Sequence, residues 1–174
     1  HLFLVLMLLV ATNSFAQKGM SKNKKAILNS IEQHKNKLIE ISDNIWEAAE
    51  PALLEFKSSN YLSDYAELNG FRVKKGVAGI ETAFTAEYGS GSPIIGIMGE
   101  FDANLGISQK KQPTKDPLVK GTAGHGCGHN LFGTASLGAA IAIKEMIESG
   151  EISGTVRFYG TPAEETIFGK VWMV

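Results

Sequence analysis

Apolar residues recur at helical spacing along the first part of the chain. Between residues 22 and 40 the apolar positions include Ile27, Ile31, Leu38 and Ile39, which stand among lysines, glutamates and glutamines and predict a surface helix. Ser42 can cap a second helix, which Pro51 interrupts or follows with a new turn. A further apolar stripe over residues 61–68 ends at Gly70 and predicts another helix. We therefore expect a helical region before the first strand.

The pattern then changes to short strand-like segments. Residues 71–74 form a brief candidate, and residues 81–88 alternate between two sets of side chains, as a strand with two different faces does. Residues 94–98 are continuously apolar, which predicts a strand in the interior of a sheet. Residues 155–159 predict a further strand.

An alanine-rich segment separates the last two of these strands. Asn130 can cap a helix over residues 131–149, and Gly150 closes it. Strand, loop, helix and strand in this order predict an α/β fold. Ligands bind beyond the carboxyl ends of strands in such sheets. We therefore expect any site to include residues 99–102 and 160–165, which follow two of the strands.

Composition narrows the class of protein. The chain has 174 residues, of which 44% are hydrophobic and 20% charged, and its net charge is −1. These values are typical of one globular domain. Lysines cluster only near residues 18–25, so nothing in the charge pattern favours binding to nucleic acid.

The first residues have the pattern of an export signal. Residues 2–10 are an uninterrupted apolar run that is too short to span a bilayer. Small residues follow at Ser14 and Ala16, where a signal peptidase would inspect them. We predict that residues 1–16 are a signal peptide truncated at its N-terminus and that cleavage follows Ala16. The protein would then be periplasmic or extracellular, with no membrane anchor. A buried strand or helix is the alternative.

The other end of the chain predicts a continuation. The chain stops at Val174 in an apolar stretch without a helix stop signal. We therefore expect residues 17–174 to be the N-terminal part of a larger catalytic domain.

Three loops carry residue types that bind metals. Thiolate, imidazole and carboxylate together suit zinc or a neighbouring divalent ion. The N–H groups at a helix N-terminus favour the thiolate form of a cysteine just before it. Two adjacent acids beside a metal can have different roles, because one can neutralise the charge of the ion while the other transfers a proton. The candidates are Asp102, His125, Cys127, His129, Glu164 and Glu165.

Each candidate also has another interpretation. A histidine or glutamate in a loop is often merely solvated, and a glycine-rich turn before a helix can bind phosphate. The lysine and hydroxyl residue of a P-loop are missing from this turn, however. Cys127 could be a nucleophile with a histidine partner, an inert buried thiol or an intermolecular link. The Glu-Glu pair favours a site, because unpaired carboxylates are costly to bury.

Two motifs resemble one family closely. The run GTAGHGCGHN over residues 121–130 and the run TVRFYGTPAEE over residues 155–165 resemble the amidohydrolase branch of the aminoacylase and carboxypeptidase superfamily of two-metal hydrolases. The resemblance covers most of residues 25–174. It implies an α/β fold of the zinc-exopeptidase type (phosphorylase/hydrolase-like), with a mixed sheet flanked by helices.

The resemblance also implies a chemistry. Two divalent ions, zinc or manganese, would serve the hydrolysis of an amide bond in small N-acyl amino acids, aminobenzoyl-glutamate-like compounds or dipeptides. Cys127, His129 and Glu165 match metal ligands of the family, and Glu164 matches the general base. A dipeptidase or aminopeptidase on the same scaffold and a non-catalytic metal-binding relative are the alternatives.

Other positions have weaker counterparts in the family. Asp102 matches an acid behind the metal ligands, and His125 is placed with it. The chain reads Asp-Ala-Asn-Leu over residues 102–105 where the family usually reads Asp-Ala-Leu-Pro, and it lacks the usual glycines over residues 166–168. The family's remaining ligands and its lid and dimerisation domain lie downstream. We therefore expect the whole protein to be a homodimer and residues 17–174 alone to be inactive.

Overall fold

A computed structural model describes residues 20–174 of the chain. The predicted signal peptide over residues 1–16 and its cleavage after Ala16 lie outside the described residues, and they stay predictions. Within the described part, no helix is both long and apolar enough to cross a membrane.

Helices and strands alternate along the described chain. The helices are α1 (Lys22–Ala48), α2 (Phe56–Leu68), α3 (His129–Glu148) and the short α4 (Glu164–Ile167). The strands are β1 (Arg72–Lys75), β2 (Phe84–Ser90), β3 (Ile94–Glu100) and β4 (Gly154–Thr161). Two 3₁₀ turns span Val77–Gly79 and Gly169–Met173.

The four described strands form one mixed sheet in the order β1-β2-β4-β3. β1 pairs with β2 and β2 with β4 in antiparallel fashion, whereas β3 and β4 are parallel. Helix α3 connects the two parallel strands, so their carboxyl ends meet at one edge, where Glu100 is the partner of Thr161. The α/β prediction is confirmed, and the chain that follows each of these strands arrives at the same place.

The core lies between one face of the sheet and the first three helices. Alternate residues of β2 and β4 point into it, because side chains of a strand alternate between the two faces. The rings of Phe84 and Phe158 lie 5.6 Å apart between centroids, and Phe101 lies 6.2 Å from Phe84. The core residues contributed by the helices are Leu38, Ile41, Ile45, Leu62, Tyr65, Ala66, Leu137, Ala140 and Ile141.

The predicted break in the first helix and the predicted cap of α3 are both wrong, for one reason. Helix α1 continues through Ser42, which is buried. Asn130 lies inside α3, and its side-chain amide donates to the Ser42 hydroxyl over 3.1 Å. Gly128, with φ of 81°, occupies the cap position instead. Packing of α1 against α3 gives both polar side chains a partner across the helices, and this outweighs their preference for helix ends.

Strand β3 also differs from its prediction. The continuous apolar run predicts an interior strand, but β3 is at the edge of the described sheet. Ile94, Ile95 and Met98 are each more than half exposed. An apolar run shows that a strand suits a sheet, but it does not identify the strand's neighbours.

Glycines allow α3 to approach the end of β3 closely. A Cβ atom on Gly133 would lie 2.6 Å from the Glu100 carbonyl oxygen, and one on Gly99 would lie 2.9 Å from the Gly133 Cα atom. A Cβ on Gly160 would instead meet the ring of Phe84. The first turn of α3, which begins with His129, is therefore held against the chain that leaves β3.

Candidate metal centre

Three segments converge at the carboxyl ends of β3 and β4. They are residues 100–104 at the end of β3, residues 125–129 leading into α3 and residues 162–165 after β4. This convergence brings together five of the six residues predicted from the sequence, with His125 beside them. The five are Asp102, Cys127, His129, Glu164 and Glu165.

His129 is the centre of the arrangement. It is only 4% exposed, and its two ring nitrogens face different carboxylates. Nδ1 lies 2.9 Å from an Asp102 oxygen, and Nε2 lies 3.1 Å from a Glu100 oxygen. Burial by itself would lower the pKa of His129, but the hydrogen bond to Asp102 and the surrounding carboxylates raise it. The ring is thus held in one orientation by anions on both sides.

Asp102 links two parts of the site. Its side chain is buried, and one oxygen accepts from His129 while the other accepts from the Glu165 N–H over 2.8 Å. Burial alone would raise the pKa of Asp102, yet these hydrogen bonds outweigh it and lower the pKa. Asp102 is therefore an anion that orients both the imidazole and the segment that carries the acidic pair.

Two groups of donor atoms could hold a metal ion. In the first, Cys127, His129 and Glu165 offer atoms that all lie within 4.8 Å of one another, and in the second Glu100, His129 and Glu164 do the same. One oxygen of Glu165 is buried without a hydrogen-bond partner among the described residues. Such an unpaired acceptor is costly unless a cation or a donor meets it. The first group therefore suits a divalent cation by both its chemistry and its unmet acceptor.

The acidic surroundings overturn one expectation about Cys127. Its position just before a helix predicts a stabilised thiolate. Desolvation and the nearby carboxylates, above all that of Glu165, instead raise the pKa of the Cys127 thiol. The nearby negative groups outweigh the partial charge of one helix end. The thiol therefore keeps its proton more firmly unless a cation offsets those carboxylates.

His125 ties the loop before α3 to the end of α1. Its Nε2 donates to the Ile45 carbonyl oxygen over 3.0 Å. Burial lowers the pKa of His125, so the ring is neutral near pH 7. Its Nδ1 is buried without a hydrogen-bond partner among the described residues.

Sequence reasoning gave no role to several residues that shape the site. Glu55 is fully buried and accepts from the Ala163 N–H over 2.9 Å and from the Thr82 hydroxyl over 3.1 Å. Ala163 adopts a left-handed φ of 61° directly before the acidic pair. No signal marks Glu55 in the sequence, since glutamate at the start of a helix is common on surfaces.

Three further residues lie at the site, and two of them, Glu100 and Asn104, had some signal in the sequence. Lys170 forms an ion pair with Glu100 and lies 4.0 Å from a Glu164 oxygen. Glu100 follows an apolar strand, which is itself the pattern of a site residue. Asn104 stands where the chain departs from the family pattern, and it accepts hydrogen bonds from the loop that carries Cys127.

Known proteins with similar sequences or folds include hydrolases and a metal-binding peptidase. No family model matches the chain. The chain is 45% identical to one of the subunits of p-aminobenzoyl-glutamate hydrolase from Escherichia coli (strain K12), over 83% of this chain and 30% of that protein. It is 27% identical to the Xaa-Arg dipeptidase of Mus musculus, over 94% of this chain and 36% of that protein.

Among solved structures, a dinuclear metal binding peptidase of the M20 family from Bacillus subtilis superposes with a TM-score of 0.64 at 25% identity. The match covers 77% of this chain and 36% of that one. The chain therefore spans about a third of the length of the curated relatives it matches, with 30% and 36% covered. The fold predicted from the resemblance is confirmed by this superposition.

Proposed function

We propose that this chain, a relative of the M20-type amidohydrolases in the aminoacylase and carboxypeptidase superfamily, carries part of a metal centre that hydrolyses an amide bond in a small substrate. The observation that carries the proposal is the first donor group, in which a sulfur, a nitrogen and a carboxylate oxygen lie within 4.8 Å of one another, while Glu165 also has a buried oxygen without a hydrogen-bond partner among the described residues. The substrates would be N-acyl amino acids, aminobenzoyl-glutamate-like compounds or dipeptides.

Each residue of the site would have a distinct task. Cys127, His129 and Glu165 would hold a divalent ion, zinc or manganese, and a second ion would lie nearby. Bound ions would polarise the amide carbonyl and make water more acidic. Glu164, whose side chain is 27% exposed and thus open to substrate, would take a proton from the attacking water and give it to the leaving amine. Asp102 would keep the imidazole oriented throughout.

A pair of variants of the full-length protein tests these roles. Glu164→Gln keeps the size of the side chain but cannot accept the proton, so turnover should fall by about two to four powers of ten with metal content unchanged. Glu165→Gln removes an anionic donor, so metal content should fall and added metal should restore part of the activity. Metal content is measured by elemental analysis after dialysis, and turnover with p-aminobenzoyl-glutamate and with N-acyl amino acids.

The outcomes separate the hypotheses. If Glu164→Gln loses metal while Glu165→Gln keeps it, the two roles are exchanged. If both variants keep metal and full activity, the cluster is structural and the hydrolase proposal fails.

A dipeptidase is the second candidate, and the similarity to the Xaa-Arg dipeptidase supports it. Comparing kcat/KM for N-acyl amino acids and for dipeptides with a basic second residue distinguishes the two. A metal-binding protein without turnover is less well supported, because such a protein has no need of a base at Glu164. Export and a homodimeric whole protein belong to the same proposal. Mass spectrometry of the mature N-terminus and the mass of the protein in solution test them.

A further inference from the structure

Asn104 is bound through both its backbone and its side chain to the loop that carries Cys127. Its side-chain oxygen accepts from the Cys127 N–H over 3.0 Å and from the Gly126 N–H over 3.2 Å. Its backbone N–H donates to the Gly124 carbonyl over 2.9 Å, and the Gly124 N–H donates back over 3.0 Å. Both side-chain contacts involve donors on the loop. The oxygen of the amide must therefore face the loop, since its nitrogen has no free lone pair to accept with.

The same short segment orients the other two donors of the first group. Asp102, two residues earlier, accepts from His129 and from the Glu165 N–H. The chain that leaves β3 thus reaches all three donors, since Asp102 orients two of them and Asn104 holds the backbone of the third.

We propose that Asn104 is a positioning residue for Cys127, which fixes the peptide that carries the thiol so that the sulfur joins His129 and Glu165 on one thiophilic divalent cation. This inference rests on the proposed function, because it needs the first donor group to bind metal. Leucine, which the family usually has at this position, offers no acceptor to the two N–H groups. This chain therefore holds its cysteine loop by hydrogen bonds that a leucine cannot make.

If Asn104 positions Cys127, replacing Asn104 should change the affinity of the site for metal. Residues that orient metal ligands typically contribute about 10-fold to 100-fold to the affinity. Asn104→Leu removes the acceptor at nearly constant volume, so the affinity should fall within that range. Asn104→Asp keeps an acceptor oxygen in the same place, so its affinity should stay close to that of the wild type, well short of the roughly 10-fold loss expected for the leucine variant. Asn69→Leu is the matched control, because the Asn69 amide donates to the Tyr65 carbonyl in α2, away from the site.

Cobalt titration of the metal-free, full-length protein is the test. A thiolate bound to Co²⁺ gives a near-ultraviolet charge-transfer band that carboxylate and imidazole ligands do not give, so the band reports ligation by Cys127 without any activity measurement. We expect the band in the wild type, in Asn104→Asp and in Asn69→Leu. For Asn104→Leu we expect half-saturation at about 10-fold to 100-fold higher cobalt. Asn104→Ala, which cannot overfill the site, replaces the leucine variant if circular dichroism shows that the latter is unfolded.

The results distinguish this inference from the proposed function. If the wild type gives no band and behaves like Cys127→Ser, the metal centre itself is wrong. If the wild type gives the band and the leucine and alanine variants titrate like it, the centre stands and the role of Asn104 is overturned. An aspartate variant as weak as the leucine variant would also overturn it, since the accepted hydrogen bonds would then not be what matters.

Discussion

Replacing Glu55 with alanine should destabilise the protein strongly, whereas replacing it with glutamine should not. Glu55 is fully buried, and its two oxygens accept from the Ala163 N–H and the Thr82 hydroxyl. Alanine leaves both donors unpaired in the interior, at about 1–3 kcal/mol each, and removes one buried methylene, at about 0.8 kcal/mol. Relief from burying a carboxylate offsets part of this, so we expect a net loss of about 2–5 kcal/mol.

Glutamine can keep both contacts. Its oxygen accepts from the Ala163 N–H, and its NH₂ group donates to the Thr82 oxygen, which accepts as readily as it donates. We therefore expect a cost below about 1 kcal/mol. Denaturant unfolding followed by circular dichroism measures both values. An alanine variant within about 1 kcal/mol of the wild type, or a glutamine variant as unstable as the alanine one, would refute the reasoning.

The way the stability difference between the wild type and Glu55→Gln changes with pH is a second check. Burial raises the pKa of Glu55 above its ordinary value of 4.5. An acid whose pKa is higher in the folded state weakens folding once the unfolded chain has released the proton. The wild type should therefore be most stable relative to Glu55→Gln below pH 4.5 and should lose that advantage as the pH rises through its raised pKa.

Three further predictions concern single side chains. Cys127→Ser in the full-length protein should lower metal per protomer in elemental analysis, whereas an inert cysteine would leave it unchanged. Hydrogen bonds from Arg157 and its neighbour Arg72 lower the pKa of Glu87. Glu87→Gln should thus lower the free energy of unfolding by a few tenths to about 1 kcal/mol at pH 7, as urea unfolding measures it. The difference in free energy between the wild type and the variant should shrink below pH 4.5, the ordinary pKa of glutamate. Gly133→Ala should lower the melting temperature, because its Cβ would lie 2.6 Å from a backbone oxygen; an unchanged melting temperature would contradict the close approach.

Local sequence patterns predicted the helices and strands better than they predicted which of these elements pack against one another. The alternation over residues 81–88 and the apolar run over 94–98 identify strands, because each depends on the side chains of one segment. The partnership of Ser42 with Asn130 depends on how two helices meet across 88 residues of chain, and each residue alone has the pattern of a helix cap. The sequence therefore predicted which segments are helical but placed two helix boundaries wrongly.

The candidate site follows the same rule. Cys127, His129 and the Glu164-Glu165 pair have distinctive chemistry and stand where strands or helices begin or end, so the sequence indicates them as candidates, and the structure places them together. Glu55 could not, because its role arises only when the chain folds back 108 residues later to offer the Ala163 N–H. Buried polar contacts of this kind are made by the fold and leave no local pattern.

Gly160 and Gly133, both near the site, differ in whether a change elsewhere in the chain could make their own substitution acceptable. At Gly160 the obstacle to a side chain is the ring of Phe84, which a smaller residue at position 84 would remove. Substitution there is conditional, since a change that is harmful in one background becomes acceptable after another has occurred. At Gly133 the obstacle includes the carbonyl oxygen of Glu100, which every residue at position 100 retains. No single earlier substitution makes room for a side chain at position 133. Divergent descendants of this protein should therefore vary together at positions 84 and 160 while they keep glycine at position 133.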